Sequence, residues 1–100
     1  DVPPVFVLGI TDNRIGFDSE IGFDCSGTLI KMRLRGVIYG GQGHFTCRFF
    51  DRTGCMWFHD GITTGRQCIQ EDDLIHVPDL FSLHTCKGKN AVAVVYAKID

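Results

Sequence analysis

The five cysteines of this 100-residue chain include no C-x-x-C pair, and their odd number leaves at least one without an internal partner. Both features argue against a secreted disulfide framework and for reduced thiols in the cytoplasm or nucleus. Cys68, His76, His84 and Cys86 lack the short paired spacings of a structural zinc site, so neither a metal nor another cofactor is expected. No apolar run approaches the ~18 residues that would span a bilayer, and no charged stretch leads into an apolar one as in a signal peptide. Basic residues do not run together. Their densest arrangement is the alternation Lys31, Arg33, Arg35, and with a formal charge of −2 the chain lacks the electrostatic footprint of a nucleic-acid binder. No low-complexity segment or composition break divides it, so a single domain over residues 1–100 is expected.

What is present is strand pattern. Pro4-Val5-Phe6-Val7-Leu8 is an apolar run entered through prolines, which predicts a strand buried on both faces. Ile15-Gly16-Phe17-Asp18 and Ile21-Gly22-Phe23-Asp24 repeat four letters and read as short edge segments with glycine bends. From Thr28 to Tyr39 the period is two, with Ile30, Met32 and Leu34 inward and Lys31, Arg33 and Arg35 on a basic outer face. Gly40-Gly41-Gln42-Gly43 reads as a loop, His44–Phe50 as a strand, Asp51-Arg52-Thr53-Gly54 as a hairpin loop, and Cys55–Asp60 as the return. A polar connection follows, with Glu71-Asp72-Asp73 flanking a turn, and then a helix of one or two turns within Pro78–His84. Lys87-Gly88-Lys89-Asn90 reads as a loop, and Ala91–Ala97, the most continuous apolar, β-branched run, predicts a central strand buried on both faces. The fold class is therefore mainly β (α+β): an antiparallel sheet of five to six strands with one or two short helices.

His44 stands after the glycine-rich stretch, and Asp60 ends the returning strand sixteen positions later. An acid placed beside a histidine orients the imidazole as a general base. Whether the two can meet depends on register. If Asp51 pairs with Gly54, paired residue numbers sum to 105, and His44 and Asp60 fall on opposite faces. A one-residue bulge at the glycine-ended loop predicts a sum of 104, with the two side chains directly opposed and Cβ atoms ~5 Å apart.

Taken in order, several motifs resemble the C-terminal half of the ubiquitin-specific proteases, the papain-like cysteine deubiquitinases. They are the proline-led strand Pro4-Val5-Phe6-Val7-Leu8, Leu34-Arg35-Gly36-Val37-Ile38, the glycine turn with Gly43-His44-Phe45, Trp57-Phe58-His59-Asp60, and Ala93-Val94-Val95-Tyr96. The resemblance covers nearly the whole chain and implies the palm half of that fold. His44 would be the general base and Asp60 its orienting acid. Gly40, Gly41 and Gly43 would keep a narrow channel clear for ubiquitin's Gly-Gly tail, and Phe45 would form its wall. The Trp57-to-Asp60 spacing is a residue or two shorter than is usual in that family.

The family's nucleophilic box, Gly-Asn-Thr-Cys-Tyr, is missing. Cys25 in Phe23-Asp24-Cys25-Ser26-Gly27 is the nearest formal candidate, but no helix follows it and no oxyanion donor accompanies it. Cys47 and Cys55 lie in predicted strands as small packed residues. Two functions follow as expectations. The chain is the histidine–acid lobe of a deubiquitinase completed by a separate or removed cysteine lobe, or it is a catalytically inactive module that binds ubiquitin, a ubiquitin-like modifier or another protein. In both cases no activity is expected from the chain alone. The loss of a cysteine lobe would expose an apolar sheet face for self-association or docking, with neither nucleic acid nor membrane as partner.

Overall fold

A computed structural model describes residues 5–10, 18–41, 43–61, 67–73 and 80–99. Their strands are β1 (Val5–Gly9), β2 (Glu20–Cys25), β3 (Thr28–Gly41), β4 (His44–Phe50), β5 (Cys55–His59), β6 (Ile69–Asp73), β7 (Thr85–Cys86) and β8 (Lys89–Lys98), with one 3-10 helix, η1, at Leu80–His84. All form one antiparallel sheet in the order β1-β8-β3-β4-β5-β6, with β2 added to β3 and β7 to β8. The mainly-β expectation holds, and the main path has the six strands foreseen. The total of eight exceeds the expected five to six, because Ile21–Asp24 pairs fully with β3 and two-residue β7 closes a hairpin onto β8. In that hairpin Lys87 (φ 50) and Gly88 (φ 83) both take positive φ, which is what a two-residue turn matching strand twist requires.

β8 is an interior strand, flanked by β1 and β3, but it is buried on one face only: Ala91, Val94 and Tyr96 are buried, while Ala93, Val95 and Ala97 stay partly exposed, because no layer of the described residues covers that face. The core lies on one face of the sheet. Met32, Leu34, Val37 and Tyr39 from β3, Phe50 from β4, Phe58 from β5 and Val94 and Tyr96 from β8 are buried there, with Leu83 of η1 and Cys86 of β7 packed over them. Strict alternation along β3 would place Met32, Leu34, Gly36 and Ile38 together, but β8 pairs with Leu34 and then Gly36 without a partner for Arg35. This extra residue changes the phase, so Val37 and Tyr39 continue the inward row. β8 does the same at Val92, passing from Val94 to Ala91 as the next buried residue.

β1 departs from expectation. It pairs only with β8, and Val5 and Val7 are 51% and 59% exposed; only Phe6 turns inward, against Phe23 with ring centroids 5.7 Å apart. Burial of both faces needs a layer packed over each, and β1 sits at the edge of a sheet whose core lies on one face. The acidic triplet also differs: Glu71-Asp72-Asp73 lies within β6, where pairing with β5 outweighs the poor strand propensity of acids. The Ile15–Phe17 portion of the first repeat and Pro78 lie outside the described residues. The short helix appears as η1.

Candidate functional site

The hairpin β4–β5 builds the site, and Asp51 builds the hairpin. Its Oδ1 accepts hydrogen bonds from the Thr53 hydroxyl (2.6 Å), the Thr53 amide (2.9 Å) and the Cys55 amide (3.0 Å), while Oδ2 accepts from the Trp57 indole (3.1 Å). The Thr53 hydroxyl, then the indole and the backbone amides, hold the Asp51 carboxyl down at about 2. Asp51 N–H donates to Cys55 O and Gly54 N–H to Asp51 O, each at 3.0 Å, and Gly54 has φ 90. This is a three-residue loop with glycine in the left-handed position, so Asp51 faces Cys55 rather than Gly54.

The ladder therefore runs Phe50↔Met56, Phe49↔Trp57, Arg48↔Phe58 and Cys47↔His59. Paired numbers sum to 106, not the expected 104. Both sums are even, so His44 and Asp60 share a face as expected, but they lie as diagonal neighbours instead of directly opposed. A histidine spans the diagonal without difficulty. His44 Nε2 stands 2.7 Å from Asp60 Oδ1, with the two side chains 26% and 11% exposed.

The shared face is the core face. Along β4 it carries His44, Thr46, Arg48 and Phe50, and Thr46 and Phe50 are buried. In the tautomer that donates Nε2–H to the carboxylate, the imidazole has its lone pair on Nδ1, and no described residue bonds to that nitrogen. Such an imidazole accepts a proton at Nδ1, and the acid at its back stabilises the resulting cation. Between the couple and Arg48 lies Thr46, whose buried hydroxyl has no hydrogen-bond partner among the described residues. Neither Thr46 nor the role of Asp51 is apparent from the sequence. For Asp51 the signal was present, as an Asp-x-Thr-Gly turn, but the turn type was not.

Four positions further along the same face, Arg48 is held on every side. Its Nε donates to Glu71 (2.9 Å), and one terminal nitrogen reaches the Tyr39 hydroxyl (3.3 Å) and Thr85 O (3.5 Å). Tyr39 in turn donates to Leu83 O at 2.7 Å, which fastens η1 to the sheet. Burial pushes the Tyr39 phenol up to about 12, opposed by Arg48.

The expected glycine channel is largely strand. Gly40 and Gly41 belong to β3 and pair with Phe45 and His44, so of the expected glycine loop only Gly43, at φ 72, is a turn residue among those described. A Cβ on Gly40 would approach the Phe45 ring to 3.0 Å and Val92 Cγ1 to 3.2 Å. Its bareness makes room for Phe45, whose ring is itself 67% exposed on the face opposite His44. Gly40, Gly41, Gly43 and Phe45 thus cluster about the histidine, but Phe45 lies across the sheet from the couple.

None of the cysteines is placed as its nucleophile. Cys25 pairs with Thr28 at the far end of β3 from Gly41, the partner of His44. Thirteen strand steps separate Thr28 from Gly41, about 40 Å. Cys47 points to the opposite face, and burial raises both its thiol and that of Cys86, which opposes thiolate formation. Cys47, Cys68 and Cys86 are free thiols. Among the described residues no cluster of three potential ligands could hold a metal, and no helix is long and apolar enough to cross a membrane. Comparison with protein-family models, with curated proteins and with solved structures gives no match.

Proposed function

We propose that this chain is the histidine–acid lobe of a thiol hydrolase of the ubiquitin-specific-protease type, acting in the cytoplasm or nucleus, with its nucleophilic cysteine supplied by a segment outside these residues. The reading rests on the 2.7 Å contact of His44 Nε2 with Asp60 Oδ1, which leaves Nδ1 as the proton acceptor. In the completed site Nδ1 takes the thiol proton and the thiolate attacks the carbonyl after ubiquitin's last glycine. The imidazolium, held by Asp60, then returns the proton to the leaving amine. A general base of this kind contributes about 10²–10⁴-fold.

The test uses the complete polypeptide encoded by the parent gene and a fluorogenic amide of the ubiquitin C-terminus. Turnover should be measurable and should fall by about 10²–10⁴-fold in His44→Ala. A complete polypeptide inactive on ubiquitin and ubiquitin-like amides, or indifferent to His44→Ala, would remove this reading.

A second reading, a non-catalytic protein-binding module, draws on the outer face of the sheet. Register aligns Val7, Val95, Gly36, Phe49 and Trp57 in one row across five strands. Phe49 and Trp57 stack with centroids 6.4 Å apart, and both remain half-exposed. A row of this kind suits docking of a ubiquitin-like protein, a cysteine lobe or a second copy. Titrating labelled ubiquitin with the chain should shift resonances of its C-terminal tail. Ubiquitin unperturbed at millimolar chain would exclude ubiquitin, and a concentration-independent monomer by sedimentation would exclude self-association.

A further inference from the structure

Four of the chain's ten Lys and Arg residues line one groove of about 380 Å³: Arg33, Arg35, Arg52 and Lys98, with Ala97 and Ile99 as its apolar wall. Three separate segments contribute. Arg35 is the extra residue at the phase change in β3 and Arg33 lies two positions before it, Arg52 comes from the β4–β5 loop, and Lys98 ends β8. The groove lies about 20 Å along β3 from His44, and Arg33 is on the sheet face opposite the core. Chain-wide charge does not account for it, since the chain is net negative.

Among the described residues no carboxylate lines the groove, and none of the four cations forms an ion pair or a side-chain bond to an acid. Glu20 lies cross-strand from Arg33 and does not pair with it. Arg35 is also fixed in place: its Nε donates to Phe50 O at 2.8 Å, which leaves the terminal nitrogens of the guanidinium to face a ligand. A tethered guanidinium loses less freedom on binding than a loose one. Converging, unpaired cations repel one another, and an anion seated between them relieves that cost.

We propose that this groove binds a phosphate monoester. Three guanidinium forks and an ammonium offer more N–H donors than the two oxygens of one carboxylate can accept. A dianionic phosphoryl group with three peripheral oxygens matches them better. The groove is also larger than a phosphate alone, and Ala97 and Ile99 give it an apolar side, so the phosphoryl group comes with a short carrier, either a small molecule or a phosphorylated side chain.

Isothermal titration of the chain at low salt tests this with four probes: inorganic phosphate, O-phosphoserine, a six-residue phosphoserine peptide and its unphosphorylated twin. The phosphopeptide should bind at least tenfold more tightly than its twin, and raising the salt should weaken it. If O-phosphoserine binds as well as the phosphopeptide, the carrier is a small molecule; if the peptide is tighter, it is a polypeptide. Arg52→Glu, in an exposed loop, and Lys98→Glu, at a strand end, should each weaken phosphopeptide binding about tenfold or more, whereas Lys89→Glu, remote from the groove, should leave it unchanged. Equal binding of the two peptides would overturn the proposal, as would insensitivity of binding to both groove variants. Tighter binding of a six-nucleotide single-stranded DNA than of the phosphopeptide would also overturn it, by assigning the groove to phosphodiesters.

Discussion

His44 and Arg48 stand four residues apart on the same face of β4, and each reaches an acid on another strand, yet the two pairs differ in what they leave open. Arg48 reaches Glu71, Tyr39 and Thr85, a network that spans β3, β4, β6 and β7 and fastens η1 through Tyr39. His44 spends one nitrogen on Asp60, and no described residue bonds to the other. A polar group satisfied on every side holds a structure together. One satisfied on a single side is positioned to act on something else.

Breaking the first pair should cost most. Arg48→Met keeps the apolar stem but leaves Glu71 without its partner, and should destabilise the chain by about 2–3 kcal/mol in urea unfolding, since both side chains are mostly buried. His44→Ala should cost only about 1 kcal/mol by the same measurement, although it removes the proposed base. Equal losses from the two would mean that the His44 pair is as structural as that of Arg48.

Thr46 lies between the two pairs. Thr46→Val replaces a buried, unpartnered hydroxyl with a methyl group of the same shape, and should be neutral or stabilising by up to about 1 kcal/mol. Clear destabilisation would show that the hydroxyl has a partner, such as a bound water, and that the His44 end of the face is wetter than the Arg48 end.

The smallest effect concerns acid. The Asp51 carboxyl sits at about 2, below its unfolded value near 3.9, so its contribution to stability is fully present above pH ~4 and is lost as pH falls toward 2. Asp51→Asn should lower the thermal midpoint at neutral pH and flatten the dependence between pH 4 and 2. An unchanged slope over that window would assign the acid sensitivity to other carboxylates.

Much of this arrangement was legible in the sequence. β4 was delimited by its composition, and the apolar part of β8, Ala91–Ala97, was foreseen as strand, because alternation and β-branched runs directly reflect burial; Lys89 and Asn90, read as loop, join β8 through its pairing with β7. The shared face of His44 and Asp60 followed from parity: any hairpin loop with an odd number of residues gives an even sum. Which odd loop could not be read, because it depends on how Asp51 ties Thr53 and Cys55, a local hydrogen-bond choice that propensity does not rank. The exposure of β1 was missed because an edge is defined by what fails to pair, and an apolar run looks the same at an edge as at the centre. Gly40 and Gly41 were taken for a loop because glycines usually punctuate; here a missing Cβ lets Phe45 and Val92 close over the strand. The Arg groove was invisible as well, since its members are distant in sequence and meet only through the β3–β8 pairing and the β4–β5 hairpin.

The extra residue at Arg35 makes β3 behave like a message with a frame. Upstream of it the even-numbered residues are written for the interior, and downstream the odd-numbered ones are. Removing that one residue, with the β3–β4–β8 end held in place, would shift the frame of everything before it. Lys31 and Arg33 would be turned toward the core and Met32 and Leu34 toward water, although no codon for a core residue had changed. For a strand of this kind, single-residue deletions should be far less tolerated than substitutions at the same site, because the count of residues, more than the identity of the one at the bulge, sets which side chains face inward.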